Sequence, residues 1–223
     1  VMLHTPFQLT TEFQPRGDQP AAIAQLTKAL QAGAKAQTLL GVTGSGKTEI
    51  YVKLIRDQIK KGKQVLYLLP EIALTTQLIT RLKKYFGDKI GVYHSKFSPN
   101  ERVEVWRSVL NEELHSYDVI LGARSSVFLP FNRLGLILID EEHEPSFKQY
   151  DPAPRYHARD VAFKLFKLHH CSVLMGSATP SIESMLNAKN QVFKYVELTK
   201  RFSNILLPEI QCADLVLATK KKQ

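Results

Sequence analysis

Ala36-Gln37-Thr38-Leu39-Leu40 runs straight into Gly41-Val42-Thr43-Gly44-Ser45-Gly46-Lys47-Thr48, and the reading of these residues decides the fold. The first five read as a buried strand, and the next eight match the pattern G-x-x-x-x-G-K-[ST]. Glycines permit tight backbone turns and let the main chain approach an anion closely. The amides of Gly44, Ser45 and Gly46 can then point inward at a helix N-terminus, where the peptide dipoles favour negative charge. The strand before and the helix expected after, closing near Lys61-Gly62, are the setting that such a loop requires.

Working outward, short apolar runs alternate with amphipathic segments, which predicts an α/β domain built on a parallel sheet with crossover helices. The first helix is expected from Asp18, with Pro20 in its first turn, to just before Gly33. Further strands are expected at Gln64–Leu69, Lys89–Tyr93, Tyr117–Leu121, Leu134–Asp140 and Ser172–Met175. Leu74, Leu78, Leu82 and Tyr85 form a helical stripe ending near Gly87. Ser98-Pro99-Asn100-Glu101 has the form of a capping box, and the helix it opens carries Val103, Trp106 and Val109 or Leu110 on one face. Residues 144–156 hold three prolines and form the longest expected loop, and residues 205–214 are a candidate edge strand.

A phosphate loop of this kind wants an acidic partner at the end of another buried strand, and Leu136-Ile137-Leu138-Ile139-Asp140-Glu141-Glu142-His143 supplies it. Lys47 is expected to bridge the β- and γ-phosphates of ATP, with Thr48 and Asp140 holding Mg²⁺ and Glu141 orienting or deprotonating water. The cofactor-binding set is therefore Gly41, Thr43, Gly44, Ser45, Gly46, Lys47 and Thr48. Lysine and arginine outnumber acids 30 to 21 and give a net charge of +9, a balance that suits a polyanionic partner. Lys220-Lys221-Lys222 inflates that total as a solvated end. Cys171 and Cys212 lack paired spacing, so neither zinc nor a disulfide framework is expected. No apolar run reaches membrane-spanning length, and the N-terminus lacks the regions of a signal peptide, so a cytoplasmic protein is expected.

Asp140-Glu141-Glu142-His143 resembles motif II of superfamily 2 helicases of the DEAH type, and Gly176-Ser177-Ala178-Thr179 resembles their motif III. Gly122-Ala123-Arg124-Ser125-Ser126 and Pro70-Glu71-Ile72-Ala73-Leu74-Thr75 are similar to motifs Ib and Ia. Gly-Lys-Thr-Glu-Ile-Tyr (46–51), His-Ser-Lys-Phe-Ser (94–98), Pro-Arg-Tyr-His-Ala-Arg-Asp (154–160) and Gly-Ser-Ala-Thr-Pro-Ser-Ile-Glu (176–183) narrow the resemblance to the PriA family of replication-restart helicases. Phe13-Gln14-Pro15-Arg16-Gly17-Asp18-Gln19-Pro20 looks more like the opening of the UvrB excision-repair ATPases, which share this lobe.

The resemblance implies a RecA-like, P-loop helicase lobe over residues 35–200. An adenine-contacting segment (1–34) would precede it, and an extension (201–223) would lead towards a second lobe that supplies an arginine finger. It implies a bacterial, nucleoid-associated 3′→5′ DNA helicase acting at stalled forks, with primosome and single-strand-binding proteins as partners. Without the second lobe, weak nucleotide binding and slow hydrolysis are expected. By position, Gln19 would read the adenine edge, Phe7 would stack on the base, and His143 would link the ATP site to Ser177 and Thr179. Phe147, Lys148, Tyr150, Arg155 and Tyr156 interleave aromatics with cations, as a stacking and phosphate-contact surface requires, and resemble the family's strand-sensing aromatic loop. Arg124, Ser125 and Ser126 have the chemistry of phosphate contacts, though Arg124 could instead pair with a local carboxylate. A UvrB-like repair lobe and a non-hydrolysing nucleic-acid-binding module are the alternatives.

Overall fold

The computed structural model describes residues 15–34, 36–42, 44–95, 97–110 and 117–200. Its chain order is α1 (Gln19–Gln31), β1 (Ala36–Gly41), α2 (Lys47–Lys60), β2 (Gln64–Leu68), α3 (Thr76–Phe86), β3 (Ile90–Tyr93), α4 (Pro99–Leu110) and β4 (Val119–Gly122). β5 (Leu134–Asp140), β6 (Lys148–Gln149), β7 (Tyr156–His157), α5 (Ala158–His169), β8 (Ser172–Ser177), α6 (Ile182–Lys189) and β9 (Lys194–Leu198) follow. Seven strands form one sheet in the order β3-β4-β2-β5-β8-β1-β9, every pair parallel.

A parallel sheet needs both faces covered, and the strands show it in their alternation. Val65, Tyr67, Leu136, Leu138 and Leu174 join one apolar cluster with Ile50, Leu54 and Ile55 of α2 and Leu82 and Phe86 of α3. Leu66, Leu68, Ile137, Ile139, Val173 and Met175 join the opposite cluster with Val105 and Val109 of α4 and Ala158 and Ala162 of α5. The predicted α/β sheet with helices on both faces is the observed architecture. Register then sets the site: Leu40 lies opposite Ser177 and Asp140 opposite Gly176, so the ends of β1, β5 and β8 meet along one edge.

The capping box forms: the Ser98 amide donates to Glu101 Oε2 at 2.8 Å and the Glu101 amide to Ser98 Oγ at 3.3 Å. The helix it opens keeps only Val109 of the expected stripe on its buried face. Val105 and Val109 are buried, whereas Val103, Trp106 and Leu110 are exposed, because the i, i+4 pair faces the sheet. The helical reading from Leu74 also needs correction. Residues 71–73 form a 3₁₀ turn, Thr75 accepts the Leu78 amide as N-cap, and α3 starts only at Thr76. Strand β9 was not expected; it pairs with the outer side of β1. The candidate strand at 205–214 lies outside the described residues, as do Cys212, the lysine tail, Phe7 and Thr43.

Candidate nucleotide and nucleic-acid site

The turn between β1 and α2 is shaped by backbone that side chains resist. Gly44 and Gly46 have φ of 84° and 83°, in the left-handed region. Gly46 has a second constraint: a Cβ there would lie 2.1 Å from Gln19 Nε2. Gln19 is buried, donates from Nε2 to the Ser45 carbonyl at 2.9 Å and accepts the Arg16 amide on Oε1 at 3.1 Å. Both ends of its amide thus brace the turn. Lys47 Nζ donates to the Gly41 carbonyl at 2.8 Å, which folds the ammonium back over the loop.

A cavity of about 530 Å³ opens above, lined by Gln19, Gly44 to Glu49, Arg81, Asp140 and Glu141. The Ser45 hydroxyl is buried with no hydrogen-bond partner, an arrangement costly to keep unless something else meets it. The Ser45 amide is spent on the Val42 carbonyl at 3.0 Å, which takes it out of the expected set of inward-pointing amides. The ammonium and the unpartnered hydroxyl on one side of the cavity, with carboxylates opposite, fit a triphosphate and its magnesium. Glu49 anchors the cavity wall by accepting from the Arg81 guanidinium and from the Tyr85 hydroxyl.

Asp140 ends β5 facing this cavity, and burial pushes its carboxyl above the usual range. The Glu141 charge adds to that, while Lys47 and two phenols oppose it. Tyr51 and Tyr67 donate to its two oxygens at 3.2 and 3.1 Å. Glu141 sits at φ 48°, a left-handed conformation uncommon for a side-chain-bearing residue, and its amide donates to Asp140 Oδ1 at 3.1 Å. His143 Nδ1 lies 2.7 Å from Ser177 Oγ, and Nε2 lies 3.4 Å from Thr179 Oγ1. The Thr179 amide donates to Ser177 Oγ at 2.9 Å, so the Ser177 hydroxyl is shared between His143 and the Thr179 backbone.

Sequence reasoning gave Glu142 no role, yet it is the most enclosed acid at this edge. Its side chain is fully buried and ion-pairs with Arg159 of α5. The Ser181 amide donates to Oε1 at 2.7 Å and the Ser181 hydroxyl to Oε2 at 3.1 Å, so Glu142 ties motif II to the starts of α5 and α6. A charge buried this deeply is retained only when paired, so the acid run itself was the available signal.

The candidate strand-contact residues separate into two groups. Lys148, Tyr150 and Arg155 are exposed, and Lys148 Nζ sits 4.8 Å from the Tyr150 ring centroid. Phe147 is 1% exposed and packs into the core, so the expected stacking role is replaced by a packing one. Ser126 is 0% exposed and its hydroxyl donates to the Ala123 carbonyl at 2.6 Å, which removes it from a phosphate-contact surface. Ser125 remains partly open. Arg124 donates to the Ser146 carbonyl at 3.2 Å, a partner other than the local carboxylate that was its alternative. Tyr156 is half-buried against Phe128, edge to face at 4.8 Å. The region expected as a long loop contains a 3₁₀ turn at 145–147 and the antiparallel pair β6–β7.

The model of the DEAD/DEAH box helicase family matches residues 16–188. The chain belongs to the DEAD/DEAH box helicase family. Among relatives of this helicase lobe, the replication restart protein PriA of Bacillus subtilis is 41% identical over 210 residues, covering 94% of this chain and 26% of its own length. That of Haemophilus influenzae is 45% identical over 186 residues, covering 83% of this chain and 25% of its own. The chain therefore spans about a quarter of the curated relatives it matches. At 94% coverage the Bacillus match enters the UvrB-like opening segment as well.

Solved helicase structures share the fold. RecG bound to a three-way DNA junction has a TM-score of 0.59 at 20% identity, covering 89% of this chain and 25% of that one. The Pyrococcus furiosus Hef helicase domain has a TM-score of 0.60 at 19% identity, covering 84% and 38%.

Proposed function

We propose that this chain is the ATP-binding lobe of a 3′→5′ DNA helicase of the replication-restart type, serving primosome assembly at stalled forks in the bacterial cytoplasm. The observation that carries the reading is a single cavity bounded by Lys47 and Thr48 on one side and Asp140 and Glu141 on the other. The 41–45% identity to replication restart proteins supplies the biological setting.

Bound Mg²⁺·ATP brings the phosphoanhydride to be cleaved and the cation that offsets its charge. The amides of Gly44 and Gly46 would meet the phosphates, and the buried Ser45 hydroxyl would gain the partner it lacks. Lys47, now bonded to the Gly41 carbonyl, would supply the positive charge that holds the phosphates. Thr48 and Asp140 would hold the cation, and Glu141 would orient the attacking water and take up its proton. Gln19, the expected reader of the adenine edge, lines the cavity with both ends of its amide already bracing the turn. His143 reports the state of the site to Ser177 and Thr179 through the contacts at 2.7 and 3.4 Å.

Lys148, Tyr150 and Arg155 form the exposed part of the strand surface, with Arg124, Ser125 and Tyr156 behind them. Stacking and phosphate contacts tolerate any base sequence, which suits an enzyme loading at forks. A second lobe elsewhere in the protein supplies the arginine that makes hydrolysis fast. The chain alone then binds nucleotide, hydrolyses it slowly and unwinds nothing.

Titrations with a fluorescent ATP analogue and labelled fork DNA, each at two salt concentrations, test the reading. The expected result is Lys47-dependent nucleotide binding and strongly salt-sensitive DNA binding that weakens when Lys148 and Arg155 are neutralised. Nucleotide affinity unchanged in Lys47→Ala would return the chain to a non-hydrolysing binding module.

A further inference from the structure

Asp140 is gripped from beneath by a pair of phenols. Tyr51 comes from α2 and Tyr67 from β2; both are fully buried, and their rings meet edge to face with centroids 5.6 Å apart. The hydroxyls reach different oxygens, Tyr51 to Oδ1 at 3.2 Å and Tyr67 to Oδ2 at 3.1 Å. Gly176, opposite Asp140 in the β5–β8 register, leaves the space for this: a Cβ there would lie 1.7 Å from the Tyr51 hydroxyl oxygen.

Phenylalanine would fill the same apolar volume without a hydroxyl to bury, so packing alone does not account for two tyrosines here. An aspartate carboxyl rotates over a broad, roughly twofold torsion when nothing restrains it. A donor on each oxygen removes that freedom for a carboxyl that lines the cavity.

We infer that Tyr51 and Tyr67 are positioning residues that hold the Asp140 carboxylate in the one orientation that meets the nucleotide's divalent cation. The inference rests on the proposed Mg²⁺·ATP site and adds two residues to it that no motif marks as functional. Partners that orient a metal-binding carboxylate shift metal affinity when removed, even though they never touch the ion.

Titration of the chain with a fluorescent ATP analogue across a range of Mg²⁺ concentrations, in wild type, Tyr51→Phe, Tyr67→Phe and the double variant, tests it. The half-saturating Mg²⁺ is expected to rise on the order of tenfold in the double variant and by less in each single one. Nucleotide affinity in EDTA should stay at the wild-type value, a readout that a purely structural role would not separate from the first. Thermal melting in EDTA identifies variants that fold, and if the double variant does not, the single variants carry the same comparison. Folded variants with the wild-type Mg²⁺ midpoint would overturn the inference while leaving the nucleotide site intact. A wild-type chain whose nucleotide binding ignores Mg²⁺ would overturn the site and the inference together.

Discussion

The end of β5 and the hairpin that follows it lie only a few residues apart and are built on opposite principles. At Asp140–His143 two of the three acids are held, Asp140 by two phenols and an amide and Glu142 by Arg159 and Ser181, with His143 against Ser177; the Glu141 carboxylate stays more open, 3.7 Å from His143 Nδ1. At Lys148–Arg155 the cations stand in solvent on a short β6–β7 pair, anchored by the buried Phe147 at one end and the half-buried Tyr156 at the other. Chemistry on a phosphoanhydride needs groups fixed before the substrate arrives, because reorganisation during reaction costs rate. A surface that takes any DNA sequence needs charge and aromatic faces that can adjust. Arg124 stands between the two: it donates to the Ser146 carbonyl, its charge and hydrogen bond counter the burial that raises the Tyr156 hydroxyl's pKa, and it follows the strand next to β2.

The largest expected effect falls on the fixed side. In the intact helicase, Lys47→Ala should lower the ATP hydrolysis rate by about a hundredfold or more, measured by phosphate release with saturating DNA. Next comes the buried pair. Arg159→Met leaves Glu142 enclosed without its partner and should cost about 3–5 kcal/mol in denaturant unfolding, whereas a surface ion pair would cost little. Phe147→Ala should also act on stability, by about 3–5 kcal/mol, because it empties a core position; a loss of DNA affinity without a loss of stability would make the two regions less distinct than described.

Lys148→Ala and Arg155→Ala should leave melting almost unchanged and each lower the salt slope of DNA binding by about one, read from fork titrations at several salt concentrations. The smallest effect concerns His157, whose Nδ1 accepts the Arg159 amide at the start of α5 and whose pKa is lowered by burial and by the Arg159 charge. A histidine with a depressed folded pKa contributes stability above its unfolded value, near 6.5, and loses it as pH falls further. Wild-type stability should therefore decline below about pH 6.5, and His157→Asn should flatten part of that decline.

Much of the fixed side was legible because its signals are local. A glycine-rich turn, an apolar strand ending in acids and the Ser98–Glu101 cap each lie within a few consecutive residues, where backbone geometry and hydrogen bonding dictate residue type. Contacts across the sheet were not legible. Arg159 and Ser181 are 17 and 39 positions from Glu142, and nothing local says that they meet. Tyr51 and Tyr67 likewise read as core aromatics until their hydroxyls are placed on Asp140.

The exposed side misled in a different way. Aromatic-plus-cation composition suggested one continuous contact surface, but composition does not tell which ring turns inward, and Phe147 does. In α4, both 103/106/110 and 105/109 have helical spacing, and only the sheet beneath selects the second. Strand β9 carried a readable signal, since Val196 and Leu198 alternate with exposed neighbours at the period of a strand.

The nucleotide site stands or falls with Lys47 and Asp140 serving one ligand. A crystal structure with a non-hydrolysable ATP analogue and Mn²⁺, located by its anomalous signal, measures this directly. The predicted result is a triphosphate against the amides of Gly44 and Gly46 with the ion between Thr48 and the Asp140 carboxylate. A nucleotide bound elsewhere, or an ion out of reach of Asp140 directly or through one water, would contradict it.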